Sequence, residues 1–236
     1  MNDAMIAAAI IERVAAVRAR IAAACALAGR DPAQVRLLPV SKTHPVSVIR
    51  AVWQTSGITR FGENRVQELS AKRSELAVDT PLTWALIGHL QTNKAATAAL
   101  VADEFQALDS VRVAAVLDRS LAELGRTLDV LIEVNTSGET SKWGLAAAEV
   151  AAFADTLTRY PRLAVRGLMT VAAPVEAERG FAQLAQLCET LVANGAPGEW
   201  RELSMGMSGD FETAIGYGST CVRVGSAIFG PRDYLA

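Results

Sequence analysis

The chain has 236 residues, 51% of them hydrophobic and 20% charged, with a formal net charge of −2. That balance describes a soluble globular protein with an ample core, and the near-neutral charge gives no field for nucleic acid or an acidic membrane surface. Three scattered cysteines without a CxxC argue against a disulfide framework and for a reducing compartment, and two histidines make a multi-histidine metal site a poor expectation.

The N-terminal stretch "MNDAMIAAAIIERVAAVRARIAAACALAGRDP" is apolar, but Glu12, Arg13, Arg18 and Arg20 interrupt it. It matches neither a secretory signal nor a membrane span of about 20 apolar residues. Ile6, Ile10, Val14, Val17 and Ile21 recur at three- and four-residue spacing and predict a long amphipathic helix within residues 1–30, capped by Asn2 or Asp3 and ended by Gly29. The expected address is the cytoplasm.

Strand-like and helix-like segments then alternate. "VRLLPVSK" reads as a buried strand and "PVSVIRAVWQTSG" as a helix, with proline in its first turn and glycine beyond its end. "ITRFGENR" precedes the helix "VQELSAKRSEL", "PLTWALIGH" precedes "TNKAATAALVA", and "EFQALDS" precedes a helix from Val111 to about Leu124. "LDVLIEVNTS" leads into "GLAAAEVAAFADTLTRY", and "LAVRGLMTVAA" into "ERGFAQLAQLCETLVAN". "WRELSMGMS" leads into "DFETAIGYG", and "CVRVGSAIFG" is the last predicted strand. The strands are short apolar runs, as parallel strands covered on both faces should be. The expectation is an α/β protein: one (β/α)8 barrel across residues 1–236, preceded by an extra helix. A doubly wound open sheet is the alternative, and it lacks a GxGxxG after the first strand.

In such a barrel the C-terminal strand ends converge on one mouth. Polar residues gather there: Ser41 and Lys42, "GENR", "GHLQTNK", "EVNTS", "SMGMSGD" and "RVGS", while the opposite ends are expected to be blander. Lys42 at the tip of an apolar strand allows three readings: a solvated head, a phosphate contact, or a nucleophilic amine that forms a Schiff base with an aldehyde. The aldehyde cofactor that uses this chemistry is pyridoxal 5'-phosphate (PLP), which also needs an anion site and a partner for its ring nitrogen. "SMGMSGD" supplies two hydroxyls and two glycines ahead of a predicted helix, and "RVGS" supplies Gly225 and Ser226; glycines let backbone N–H groups approach an anion, and a following helix N-terminus favours it. Each is equally a tight turn with a helix cap. Arg223 is either a salt-bridge partner inside the barrel or the neighbour of a pyridine nitrogen, and Asn64 is either a helix cap or a ligand contact. His44 reads as a helix-start residue and His89 as a hydrogen-bonding wall residue, while Lys94 and Lys142 read as solvated charges.

"LLPVSKTHP", "FGENRVQEL", "IGHLQTNK", "EVNTSGETSKWGL", "GLMTVAA" and "LSMGMSGDFETAIGYGSTCVRVGSAIFGPRDY" together resemble the YggS/PROSC family of pyridoxal phosphate homeostasis proteins, in order and over almost the whole chain. The resemblance implies a barrel of PLP fold-type III, related to the N-terminal domain of alanine racemase. It puts the PLP-bearing lysine, held as an internal aldimine, at Lys42. It implies further cofactor contacts at Asn64, at Ser204, Met205 and Ser208 of the SMGMS motif, and at Arg223, Gly225 and Ser226 of the last strand. Ala85 and Arg65 depart from a common histidine and a common aromatic residue of that family, and Ser226 replaces a common threonine while keeping the hydroxyl.

The function this implies is to hold PLP reversibly and maintain PLP, vitamin B6 and amino-acid balance without strong turnover. Its partners are PLP and the apo forms of PLP-dependent enzymes, with no nucleic acid, membrane or metal, and the chain is expected to be a monomer. The alternative is a PLP-dependent amino-acid racemase, which needs two bases on opposite faces of the substrate Cα.

Overall fold

The computed structural model describes residues 3–76, 81–139 and 141–230, with side chains from residue 9 onward. The cap expected from Asn2 or Asp3, the Ile6 side chain and the closing "PRDY" of the family motif lie outside the described residues. Helix α1 (Asp3–Leu27) buries Ile10, Val14, Val17 and Ile21, the spacing read from the sequence. Beyond it, Arg30 Nη1 donates to the carbonyls of Ile215 (2.9 Å) and Ser219 (2.8 Å), which ties the exit of α1 to the far end of the chain.

Eight parallel strands follow: β1 (Arg36–Pro39), β2 (Arg60–Glu63), β3 (Thr83–Leu86), β4 (Glu104–Leu108), β5 (Leu128–Glu133), β6 (Leu163–Met169), β7 (Glu202–Ser204) and β8 (Cys221–Val224). Between and after them run α2 (Val46–Ser56), α3 (Val66–Leu76), α4 (Ala95–Val101), α5 (Val111–Glu123), α6 (Val150–Leu157), α7 (Ala177–Ala193), α8 (Phe211–Gly216) and α9 (Ser226–Phe229). The strands pair in the order β1-β8-β7-β6-β5-β4-β3-β2. A bridge between Val40 and Gly62 joins the two ends, with Ser41 N donating to Gly62 O at 3.0 Å. The result is a nearly closed (β/α)8 barrel with one additional N-terminal helix, and most of its apolar core lies between strands and helices.

The two-residue period of a strand sets what lies inside the barrel. On β1 it aligns Arg36, Leu38, Val40 and Lys42; on β2, Arg60, Gly62 and Asn64; on β8, Cys221, Arg223 and Gly225. Leu38, Ala85 and Cys221 form the small apolar cluster at mid-barrel, with Ile87 packed against it.

Two sequence expectations are corrected. The strand-start end of the barrel is not bland. Arg36 makes paired contacts to Glu104 (2.8 and 3.0 Å) and reaches Glu202 at 3.0 Å, while Arg60 Nη1 meets Glu104 at 2.8 Å. Burial alone would raise the Glu104 carboxyl, but hydrogen bonding and charge from Arg36, with Gln106 and Arg60, outweigh it and hold it below the usual carboxylate value. Charged residues one per strand look like isolated surface groups in a sequence, and only barrel closure brings them together. The eighth strand also stops at Val224: Gly225 has φ −109 and ψ −79, and residues 226–229 coil into the short helix α9.

Candidate functional site

Lys42 leaves β1 two residues beyond Val40, on the same face, and reaches the mouth because the strand's alternation carries it there. The peptide on either side of it is clamped. Lys72, from α3, donates to Ser41 O, Glu63 Oε1 and Glu68 Oε1, each at 2.7 Å, which uses all three of its N–H groups. Ser41 Oγ donates to Glu63 Oε1 (2.6 Å), and Thr43 N donates to Glu68 Oε1 (2.5 Å). Thr43 has φ 69, a left-handed conformation that a β-branched residue rarely adopts and that costs on the order of 1–3 kcal/mol. Burial pushes the Glu63 carboxyl up, Lys72 and Ser41 pull it back, and the net shift is upward. Its second oxygen, Oε2, is buried without a hydrogen-bond partner.

A cavity of about 370 Å³ opens beside Lys42, within the usual range for a small-molecule site. Asn64, Ser208, Arg223, Gly225 and Ser226 line it with Lys42, so six of the eight expected contact residues come together. Asn64 is set by Gly88, where a Cβ would stand 2.3 Å from the Asn64 carbonyl oxygen. Arg223 is wholly interior: Nη1 donates to Ser204 Oγ and Nη2 to Thr170 O, both at 2.7 Å. Its own burial lowers its pKa from the ordinary guanidinium value, opposed by Cys221, Glu133 and Asp210. No carboxylate pairs with it directly, so the salt-bridge reading from the sequence is not what the fold builds.

Ser204 and Met205 do not line this cavity; both are fully buried. Ser204 Oγ donates to Gln106 Oε1 (2.7 Å) while accepting from Arg223, so it acts as a backing for the arginine. After Met205 the chain turns at Gly206, φ 93, where a Cβ would lie 2.7 Å from Ala214 Cβ. That turn brings Met207, Ser208 and Gly209 to the cavity. Val40, Ile87, Val171, Met207 and Gly209 are lining residues that the sequence reading did not single out. For Val40 and Ile87 the strand period was an available signal. The helices after the two glycine-bearing loops, α8 and α9, span six and four residues, too few for the helix-dipole support expected there.

His89 stands to one side. Its ring stacks on Trp143 (centroids 3.5 Å apart, planes at 10°), and Nδ1 lies 3.6 Å from Asp109 Oδ2, beyond hydrogen-bond reach. His44 stacks on Phe229 at 5.0 Å. Glu133, at the end of β5, has a buried Oε2 without a partner. Burial, with Asp109 adding and Arg223 opposing, pushes its carboxyl up to about 7.

The donor set fits a phosphorylated aldehyde. It offers an amine, an interior guanidinium, two hydroxyls, and at Gly225 a cradle where a Cβ would sit 3.3 Å from Val40 O. No group of three or more metal-ligating side chains occurs among the described residues, and no described helix is long and apolar enough to cross a membrane.

A family profile described as alanine racemase, N-terminal domain, matches residues 13–233. A Pseudomonas aeruginosa protein named pyridoxal phosphate homeostasis protein is 43% identical over 232 residues, covering 96% of this chain and 97% of its own. An Escherichia coli K12 protein of the same name is 42% identical over 243 residues, 99% of each chain. The structure of PipY from Synechococcus elongatus, solved with PLP bound, shares 36% identity and superposes with a TM-score of 0.82 over 94% of this chain and 100% of that one.

Proposed function

We propose, from the premise that the chain belongs to the alanine racemase N-terminal domain family and groups within it with the pyridoxal phosphate homeostasis proteins, that it holds PLP and maintains the cell's PLP, vitamin B6 and amino-acid balance. The observation that carries this reading is Lys42 on one cavity with Arg223, Ser208, Gly225 and Ser226. PLP supplies an aldehyde carbon to which a lysine amine adds with loss of water. Lys42 provides that amine, and the Lys72 clamp orients it. Ser208 and Ser226, with the backbone at Gly209 and Gly225, take the phosphate. Asn64 hydrogen-bonds the ring's substituent. Arg223 keeps the ring nitrogen free of a proton, because two adjacent cations are unfavourable. Ser204 fixes Arg223 from behind, and Met205 packs that backing.

Racemisation asks for a base on each face of a substrate. Among the described residues lining the cavity, Lys42 is the single amine, and no carboxylate, imidazole, thiol or phenol joins it. That favours holding over turnover. The chain acts in this reading as one barrel unit over residues 1–236, a cytoplasmic monomer that passes PLP to apo forms of PLP-dependent enzymes.

Absorption spectroscopy tests the anchor: the protein loaded with PLP shows the visible band of a lysine-linked cofactor, and Lys42→Ala abolishes it. An unchanged band in that variant would sink the assignment. Hand-over is tested by mixing the loaded protein with an apo-enzyme and following regained activity. Strong Lys42-dependent racemisation of any amino acid would replace the carrier by an enzyme.

A further inference from the structure

A second cavity, of about 440 Å³, adjoins the first, and Asn64 lines both. Its walls come from the start of α3 and the loop after β3. They carry Arg65, Gln67, His89, Gln91 and Lys94. Among the described residues neither the Arg65 nor the Lys94 side chain makes an ion pair or hydrogen bond, and no carboxylate lines the cavity. Two cations on the walls of one cavity repel each other unless an anion shares it. The other polar walls supply amide donors, and an arginine fork matches the paired oxygens of a carboxylate or phosphate. Some other arginines of the fold meet an acid, among them Arg36, Arg60, Arg73, Arg126 and Arg166; neither cation of this cavity does. What sets this pair apart is that both charges line one cavity without an acid in its walls.

We propose that this cavity is an oxyanion subsite beside the cofactor cavity, binding a small phosphate- or carboxylate-bearing molecule. The volume suits a small molecule. Arg65 stands where the family resemblance gave an aromatic residue, so the subsite is a property of this chain's own sequence.

Isothermal titration calorimetry on the full chain, loaded with PLP and held at constant ionic strength, tests it. Inorganic phosphate is the probe in one arm and glutarate in the other. The expected result is saturable binding in at least one arm, weakened about tenfold or more in the double variant Arg65→Gln/Lys94→Gln. Binding of phosphate alone assigns the subsite to phosphate esters, and binding of glutarate alone to carboxylates. Equal affinity in wild type and double variant, or no saturable heat in either arm, overturns the proposal. Loss of the visible cofactor band would count against the PLP reading instead, and the comparison of wild type with the double variant would still report on this cavity.

Discussion

At the scale of single residues, Glu133 is displaced from ordinary behaviour in a direction that pH can read. Its carboxyl sits near 7 in the folded chain against about 4.3 when unfolded. Between those values the folded state holds a proton that the unfolded state has lost. The stabilisation is therefore fully present below the unfolded value and is lost as pH rises through the folded one. The whole span amounts to on the order of 3 kcal/mol. Urea midpoints of the cofactor-free chain should fall from about pH 4.3 to about pH 7 and level off above it, and Glu133→Gln should remove that part of the fall. Parallel pH profiles for the two proteins would refute the assignment. Lys42 and Arg223 were visible in the sequence because each is a charge at the end of an apolar run, where burial forces a reason for it. Glu133, in "LIEVNTS", counts in the sequence only as one of the polar residues at the mouth, since nothing local reveals that the fold leaves one of its oxygens without a partner.

At the scale of elements, the contact that matters most joins α3 to the end of β1. Replacing Lys72 by methionine strips Glu63 of its cation while the carboxylate remains buried, a change that typically costs about 3–5 kcal/mol. It also releases Ser41 O, and with it the peptide that presents Lys42. Chemical denaturation should show that loss, and the loaded protein should retain PLP several-fold more weakly. The double variant Lys72→Met/Glu63→Gln should recover much of the stability without recovering the retention. Recovery of both together would mean that the clamp is structural only. Strands and helices were legible in the sequence because apolar runs of four to six residues alternate with amphipathic segments. This clamp is harder to see because Lys72 and the Ser41 carbonyl it holds are 31 residues apart. One trace was present: Lys72 occupies the same helix face as Val66, Leu69 and Leu76, all buried, where a lysine needs an acid to meet it. The misjudged end of β8 has a local cause, since "GSAIF" is as compatible with a turn of helix as with an apolar strand.

At the scale of the whole molecule, the barrel has two unlike ends. Glu104→Gln would take the shared buried anion from Arg60 and from Arg36, which keeps Glu202, and should cost about 1–3 kcal/mol. Because none of these residues lines the Lys42 cavity, the visible cofactor band should survive at temperatures where the variant remains folded. Loss of the band in a folded variant would show that the two ends communicate. Above this ion-paired floor, Leu38, Ala85, Gln106 and Cys221 fill the middle of the barrel. Among the described residues the barrel is thus a cul-de-sac, stopped at its floor and open at the Lys42 mouth. A molecule seated against Lys42 leaves by that mouth, so a recipient that docks over it stands in the path of exit, and one that does not must wait for its delivery through open water.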